Sequence, residues 1–124
     1  MIDHVSIPVS NLLTSAAFYE SLLSEIGYRK LASKEGTIGF GKKYPDFWLN
    51  ERIALDTTGL NDGCHVCLRA SSAEEVMAFY KKALALGAQS YGAPGLRPHY
   101  SDNYFAAFII DTDRNRVEVV TFVE

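Results

Sequence analysis

The chain has 124 residues, with 12 Lys and Arg against 15 Asp and Glu and a net charge of −3. It is 48% hydrophobic and 22% charged, the balance of a chain that buries a core, and this excludes a disordered segment. The basic residues are scattered rather than gathered into a stripe, which argues against binding along a nucleic-acid backbone. Apolar runs are far shorter than the ~20 residues of a membrane span. The start Met1-Ile2-Asp3-His4 lacks the basic and apolar parts of a signal peptide. A single cytoplasmic domain that contacts neither membrane nor nucleic acid is expected.

In chain order, residues 2–9 alternate as a strand. A helix is expected from about 12 to 26, with Ala16, Tyr19, Leu22, Leu23 and Ile26 as its apolar stripe and Gly27 as its stop. Strands follow at 28–33, 37–42 and 47–52, the last two joined by the turn Lys43-Tyr44-Pro45-Asp46. The glycines of Gly36-Thr37-Ile38-Gly39-Phe40-Gly41 do not lead from a strand into a helix, so they form no phosphate loop. Residues 56–63 read as a linker. A fifth strand is expected at 65–70. Ser71 and Ser72, each with a glutamate three places on, give a capping-box start to a second helix. Val76, Phe79, Tyr80, Ala83 and Leu84 form its stripe, and Gly87 ends it. A strand begins at 89–91, a Gly/Pro-rich loop occupies 92–98, and strands 104–110 and 116–122 pair across 111–115.

The order is βαβββ, twice, and the residues repeat with it. A shift of 61 positions lays His4-Val5 on His65-Val66, Ser10 on Ser71, and Ala17-Phe18-Tyr19 on Ala78-Phe79-Tyr80. The expected fold is α+β: two βαβββ modules, 1–60 and 61–124, forming an eight-stranded curved mixed sheet. One face of such a sheet is covered by helices and the concave face is left for a ligand.

Strand alternation then selects residues. Val5, Ile7 and Val9 suit the helix-covered face, which turns His4 toward the cavity. The fifth strand repeats this with His65, Cys67 and Arg69 on one face. Glu118 lies between Val117 and Val119 in the last strand. Two histidines and one carboxylate suit a divalent ion (Fe, Mn, Zn or Ni) with positions left open for substrate. Cys64 and Cys67 form a C-x-x-C without the strand-to-helix context of a redox motif or the second ligand pair of a zinc site, so they are expected to be small buried hydrophobes. Arg97, His99, Tyr100 and Tyr104 cluster just before a cavity strand. Arg97 could bind a substrate carboxylate, and His99 or Tyr100 could act as acid or base; the alternative is a surface loop at the cavity edge. Trp48 is either a pocket wall or a core aromatic.

His4-Val5-Ser6-Ile7, Ala17-Phe18-Tyr19, Gly63-Cys64-His65-Val66 and the run Asp111-Thr112-Asp113-Arg114-Asn115-Arg116-Val117-Glu118 together resemble the vicinal oxygen chelate superfamily. This group holds glyoxalase I, bleomycin-resistance and fosfomycin-resistance proteins and extradiol dioxygenases. The resemblance spans almost the whole chain. Thr112 stands where the family has Pro, and Arg114 where it has Gly. It implies a glyoxalase-like fold with His4, His65 and Glu118 as metal ligands. It further implies a lyase, isomerase or dioxygenase acting on a small substrate with vicinal oxygens. Glu118, His99 and Tyr100 become candidate catalytic residues, and Arg97, Trp48 and Tyr104 candidate substrate contacts. The fourth carboxylate of glyoxalase I falls at Trp48 or Asn50, with Glu51 in its place if the register slips. Short members imply a homodimer whose sites draw His4 from one chain and His65 and Glu118 from the other. A metal-free, drug-sequestering protein of the bleomycin-resistance kind is the alternative.

Overall fold

The computed structural model describes residues 1–56 and 63–124, so residues 57–62 of the expected linker lie outside the described residues. The chain divides into two compact units, Met1–Thr58 and Gly59–Glu124.

The first unit runs β1 (Val5–Val9), α1 (Leu12–Ser24), β2 (Arg29–Lys34), β3 (Thr37–Gly41) and β4 (Phe47–Glu51). Its sheet has the order β1-β4-β3-β2, with β1 parallel to β4 and the other pairs antiparallel. Asn11 caps α1 by accepting the Thr14 N–H, and the Glu51 carboxylate accepts the Leu12 N–H at 2.9 Å. A carboxylate there also favours the positive end of the helix dipole. The expected stripe is the buried one: Ala16, Tyr19, Leu22, Leu23 and Ile26 are buried, as are Val9, Phe40, Phe47 and Leu49 of the sheet. Tyr19 meets Phe47 at a ring separation of 5.4 Å. Gly27 adopts φ +83°, the left-handed stop that only glycine takes without penalty.

The second unit runs β5 (Val66–Arg69), α2 (Ala73–Ala85), β6 (Gln89–Leu96), β7 (Tyr104–Ile110) and β8 (Arg116–Phe122), with sheet order β5-β8-β7-β6. The capping box forms as read: Ser72 accepts the Glu75 N–H and Glu75 accepts the Ser71 N–H. Val76, Phe79 and Ala83 are buried with Ala107, Ile109, Val117 and Val119, whereas Leu84 is exposed. The stretch expected as a loop at 92–98 continues β6 to Leu96 instead, through two register shifts. β6 is an edge strand, where Pro94 removes no hydrogen bond from an inner ladder.

Each unit is therefore a βαβββ module holding a four-stranded mixed sheet. Among the described residues no helix is long and apolar enough to cross a membrane.

Candidate functional site

In the second unit, α2 covers the face of β8 that carries Val117 and Val119, and pleating turns Glu118 to the other face. Register then sets Cys67 of β5 on one side of Glu118 and Phe108 of β7 on the other. Glu118 is only 2% exposed, so its carboxylate needs partners. His65 supplies one, with Nε2 2.9 Å from Glu118 Oε1. The Tyr104 hydroxyl donates to Oε2. Burial first, then this bond to Glu118, holds the Tyr104 phenol well above its usual range. Burial, followed by the charge of Glu118, pushes the Cys67 thiol up to about 12. Both groups stay protonated at neutral pH.

The carboxylate strand is fixed by the turn before it. Asp111 accepts the N–H groups of Asp113 and Asn115 at 2.9 and 2.8 Å, and the Asn115 side chain at 3.1 Å. Arg114 takes φ 71° at the place where the resembling family has glycine.

A cavity of about 210 Å³ opens beside His65, lined by Cys64, His65, Tyr91, Tyr100, Phe108 and Arg116 among others. A cavity of ~150 Å³ accommodates benzene, so this one has room for a single ring with small substituents. Arg116 donates to the Tyr91 hydroxyl and lies 4.7 Å over its ring.

The structure thus brings together His65, Glu118 and Tyr104, with Tyr100 5.0 Å from the Tyr104 ring. His99 is exposed and 4.3 Å from Tyr100. Arg97 turns back on its own loop: its guanidinium donates to the carbonyls of Ala93 and Gly95 at 2.7 and 2.9 Å. Trp48 is half-buried in the first unit, with Nε1 on the Pro45 carbonyl. His4 immediately precedes β1, half-exposed, with Nδ1 2.8 Å from Asp3. Both cysteines keep exposed surface, against the expectation of buried hydrophobes, although the Cys67 thiol itself is partly desolvated beside Glu118. Cys64 precedes the strand, and Cys67 lies on the face that α2 leaves bare. The sequence placed Cys67 on the His65 face but assigned it no part in the site, and it did not single out Tyr91, Phe108 or Arg116, whose places depend on pairing across the sheet.

The first unit repeats this register. Val5 pairs Phe47 and Ser6 pairs Trp48, as Val66 pairs Val117 and Cys67 pairs Glu118. Trp48 is therefore the counterpart of Glu118. Glu51, the alternative carboxylate, is engaged at the start of α1.

As metal donors, His65 and Glu118 fit. An imidazole and a carboxylate are both ligand types for a divalent cation, and in this structure their 2.9 Å contact is a hydrogen bond. Among the described residues no group of three His, Cys, Asp or Glu side chains is assembled for a metal.

No protein-family model matches the sequence, and no curated protein does. Solved structures match over nearly the full length. A glyoxalase/bleomycin resistance protein from Albidiferax ferrireducens T118 is similar at TM-score 0.82 and 23% identity, over 95% of this chain and 96% of that one. A glyoxalase/bleomycin resistance protein/dioxygenase family enzyme from Burkholderia phytofirmans PsJN is similar at TM-score 0.73 and 17% identity, over 98% of each chain. The third is a mutant of the fosfomycin resistance protein FosX from Listeria monocytogenes, complexed with Mn(II) and 1S,2S-dihydroxypropylphosphonic acid. It is similar at TM-score 0.73 and 16% identity, over 99% of this chain and 90% of that one. This chain has the same glyoxalase-like fold as these proteins.

Proposed function

We propose that the protein is a divalent-metal-dependent enzyme acting on a small substrate with two neighbouring oxygens. The observation that carries this reading is the His65–Glu118 pair, an imidazole and a buried carboxylate brought together on the face that α2 leaves bare. His4, the counterpart of His65 in the repeat, is the third donor in this reading, from its own chain or from the second chain of a homodimer. A bound metal would act as a Lewis acid toward the substrate oxygens. The chain's own residues do the rest. Tyr104 fixes Oε2 of Glu118 and so orients Oε1 toward His65. Tyr100 and Phe108 wall the cavity and exclude water from one side of a ring-sized substrate. His99 and Tyr100 are the candidate proton carriers. The aromatic lining of the cavity favours a second reading, a metal-free protein that sequesters a small ligand.

Elemental analysis after dialysis against Mn(II), Fe(II), Ni(II) or Zn(II) tests the choice. Wild type should retain about one equivalent of one ion. His65→Ala and Glu118→Ala should each bind it at least tenfold more weakly while keeping the wild-type circular dichroism, and Trp48→Phe should retain it. Wild type that retains none of the four ions overturns the metal-dependent reading and leaves the sequestering one.

A further inference from the structure

We propose that Arg69 is the anion-binding residue of the candidate site and that its ligand carries a carboxylate. This rests on the reading that places the reaction at His65 and Glu118. Alternation along β5 puts His65, Cys67 and Arg69 on the face that also carries Glu118. Arg69 pairs Val120, one pleat repeat beyond the Cys67–Glu118 pair, which is ~7 Å along the strand. Its guanidinium lies 4.6 Å over the Phe122 ring. Phe122 in turn packs edge-on against Tyr104 at 5.4 Å and 89°, and Tyr104 holds Glu118. A continuous chain of packed groups therefore ties the arginine to the carboxylate.

The cations of the second unit differ in what their donors do. Arg97 is taken up by backbone carbonyls and Arg116 by the Tyr91 hydroxyl. Arg69 is exposed, and among the described residues its guanidinium makes no hydrogen bond or ion pair. A guanidinium stacked on a ring keeps its in-plane N–H fork free, and that fork matches a carboxylate in two parallel hydrogen bonds. Glu118 has His65 and Tyr104 as its partners, and among the described residues no ion pair joins it to Arg69. A ligand bridging the two places would carry its carboxylate at the Arg69 end and its reacting oxygens at the His65–Glu118 end. The sequence cluster around Arg97 suggested that arginine for this role; its donors lie on the carbonyls of Ala93 and Gly95.

Calorimetric titration with benzoate, 3,4-dihydroxybenzoate and the amide of each tests the proposal, on protein whose metal content is measured in the same samples. Wild type should bind each acid at least tenfold more tightly than its amide, with the ratio falling as salt is raised. Arg69→Gln should reduce the ratio to about one without changing amide affinity or metal content. Arg69→Lys should keep part of it. An equal affinity of wild type for acid and amide, no binding of either acid, or an unchanged ratio in Arg69→Gln overturns the proposal. Wild type that prefers the acids through Arg69 yet holds no metal overturns the metal-dependent reading alone.

Discussion

The first unit carries Trp48 where the second carries Glu118, although the backbones around them follow one plan. Both helices are 13 residues long, and both begin eight residues after the repeated histidine. Both first strands pair in parallel with the last strand of their unit, in the same register. What sits on that frame differs. Gly39 flanks Trp48, and a Cβ there would stand 2.9 Å from the indole; Phe108 flanks Glu118. The repeated Ala-Phe-Tyr is also used differently. Tyr19 is 1% exposed and Phe18 half-buried, whereas Phe79 is 0% exposed and Tyr80 half-buried. Adjacent positions on a helix are ~100° apart, so the two helices present different edges of the same tripeptide to their sheets. A repeat in sequence preserves lengths and register more strictly than it preserves which side chain is buried, because pairing follows backbone hydrogen bonds and burial follows the shape of the facing sheet.

The largest effect separates the two helices. Phe79→Ala should lower unfolding stability by about 3–5 kcal/mol, and its counterpart Phe18→Ala by no more than about half of that. Urea unfolding followed by circular dichroism checks this, and equal losses would show that the two helices bury the same face after all. Next come the turns before β4 and β8. An added Cβ at Gly41 would meet the Tyr44 carbonyl oxygen at 2.0 Å. Gly41→Ala should therefore cost about 1–3 kcal/mol. At the corresponding turn of the second unit the sign reverses. Arg114→Gly should stabilise by up to about 1 kcal/mol, because glycine occupies φ 71° without strain. Melting curves of the two variants against wild type should move in opposite directions.

The smallest effect is confined to the first unit. Burial first, and then the charge of Asp46, push the Tyr28 phenol up to about 12 from an ordinary 10. The folded value lies above the unfolded one, so the contribution is present below pH 10 and lost as the pH rises through 12. Wild type should lose more stability between pH 9 and 11.5 than Tyr28→Phe does. Trp48, the single tryptophan, donates to Pro45 next to Asp46, so its fluorescence reads this unit. Parallel losses in the two proteins would remove Tyr28 from the account.

Much of this was legible in the residues. Alternation placed seven of the eight strands within a few residues of their bounds, and the Ser72–Glu75 pair marked the start of α2. β6 was read short because Gly92, Pro94 and Gly95 carry loop signals that an edge strand tolerates. Alternation and the repeat turned His65, like His4, toward the uncovered face, while Glu118 stood out as a carboxylate between valines and through the family resemblance. The use of Arg97 was not. A cation within a cluster of ring side chains looks the same in sequence whether its donors are free or bonded to carbonyls two and four residues back. Local pattern thus determined the elements and the duplication, because each depends on spacing along one chain. Tertiary structure alone decided that Tyr104 holds Glu118, that Trp48 is the counterpart of that glutamate, and which arginine keeps its donors free. Those depend on strand register and on side chains from distant segments meeting at one point.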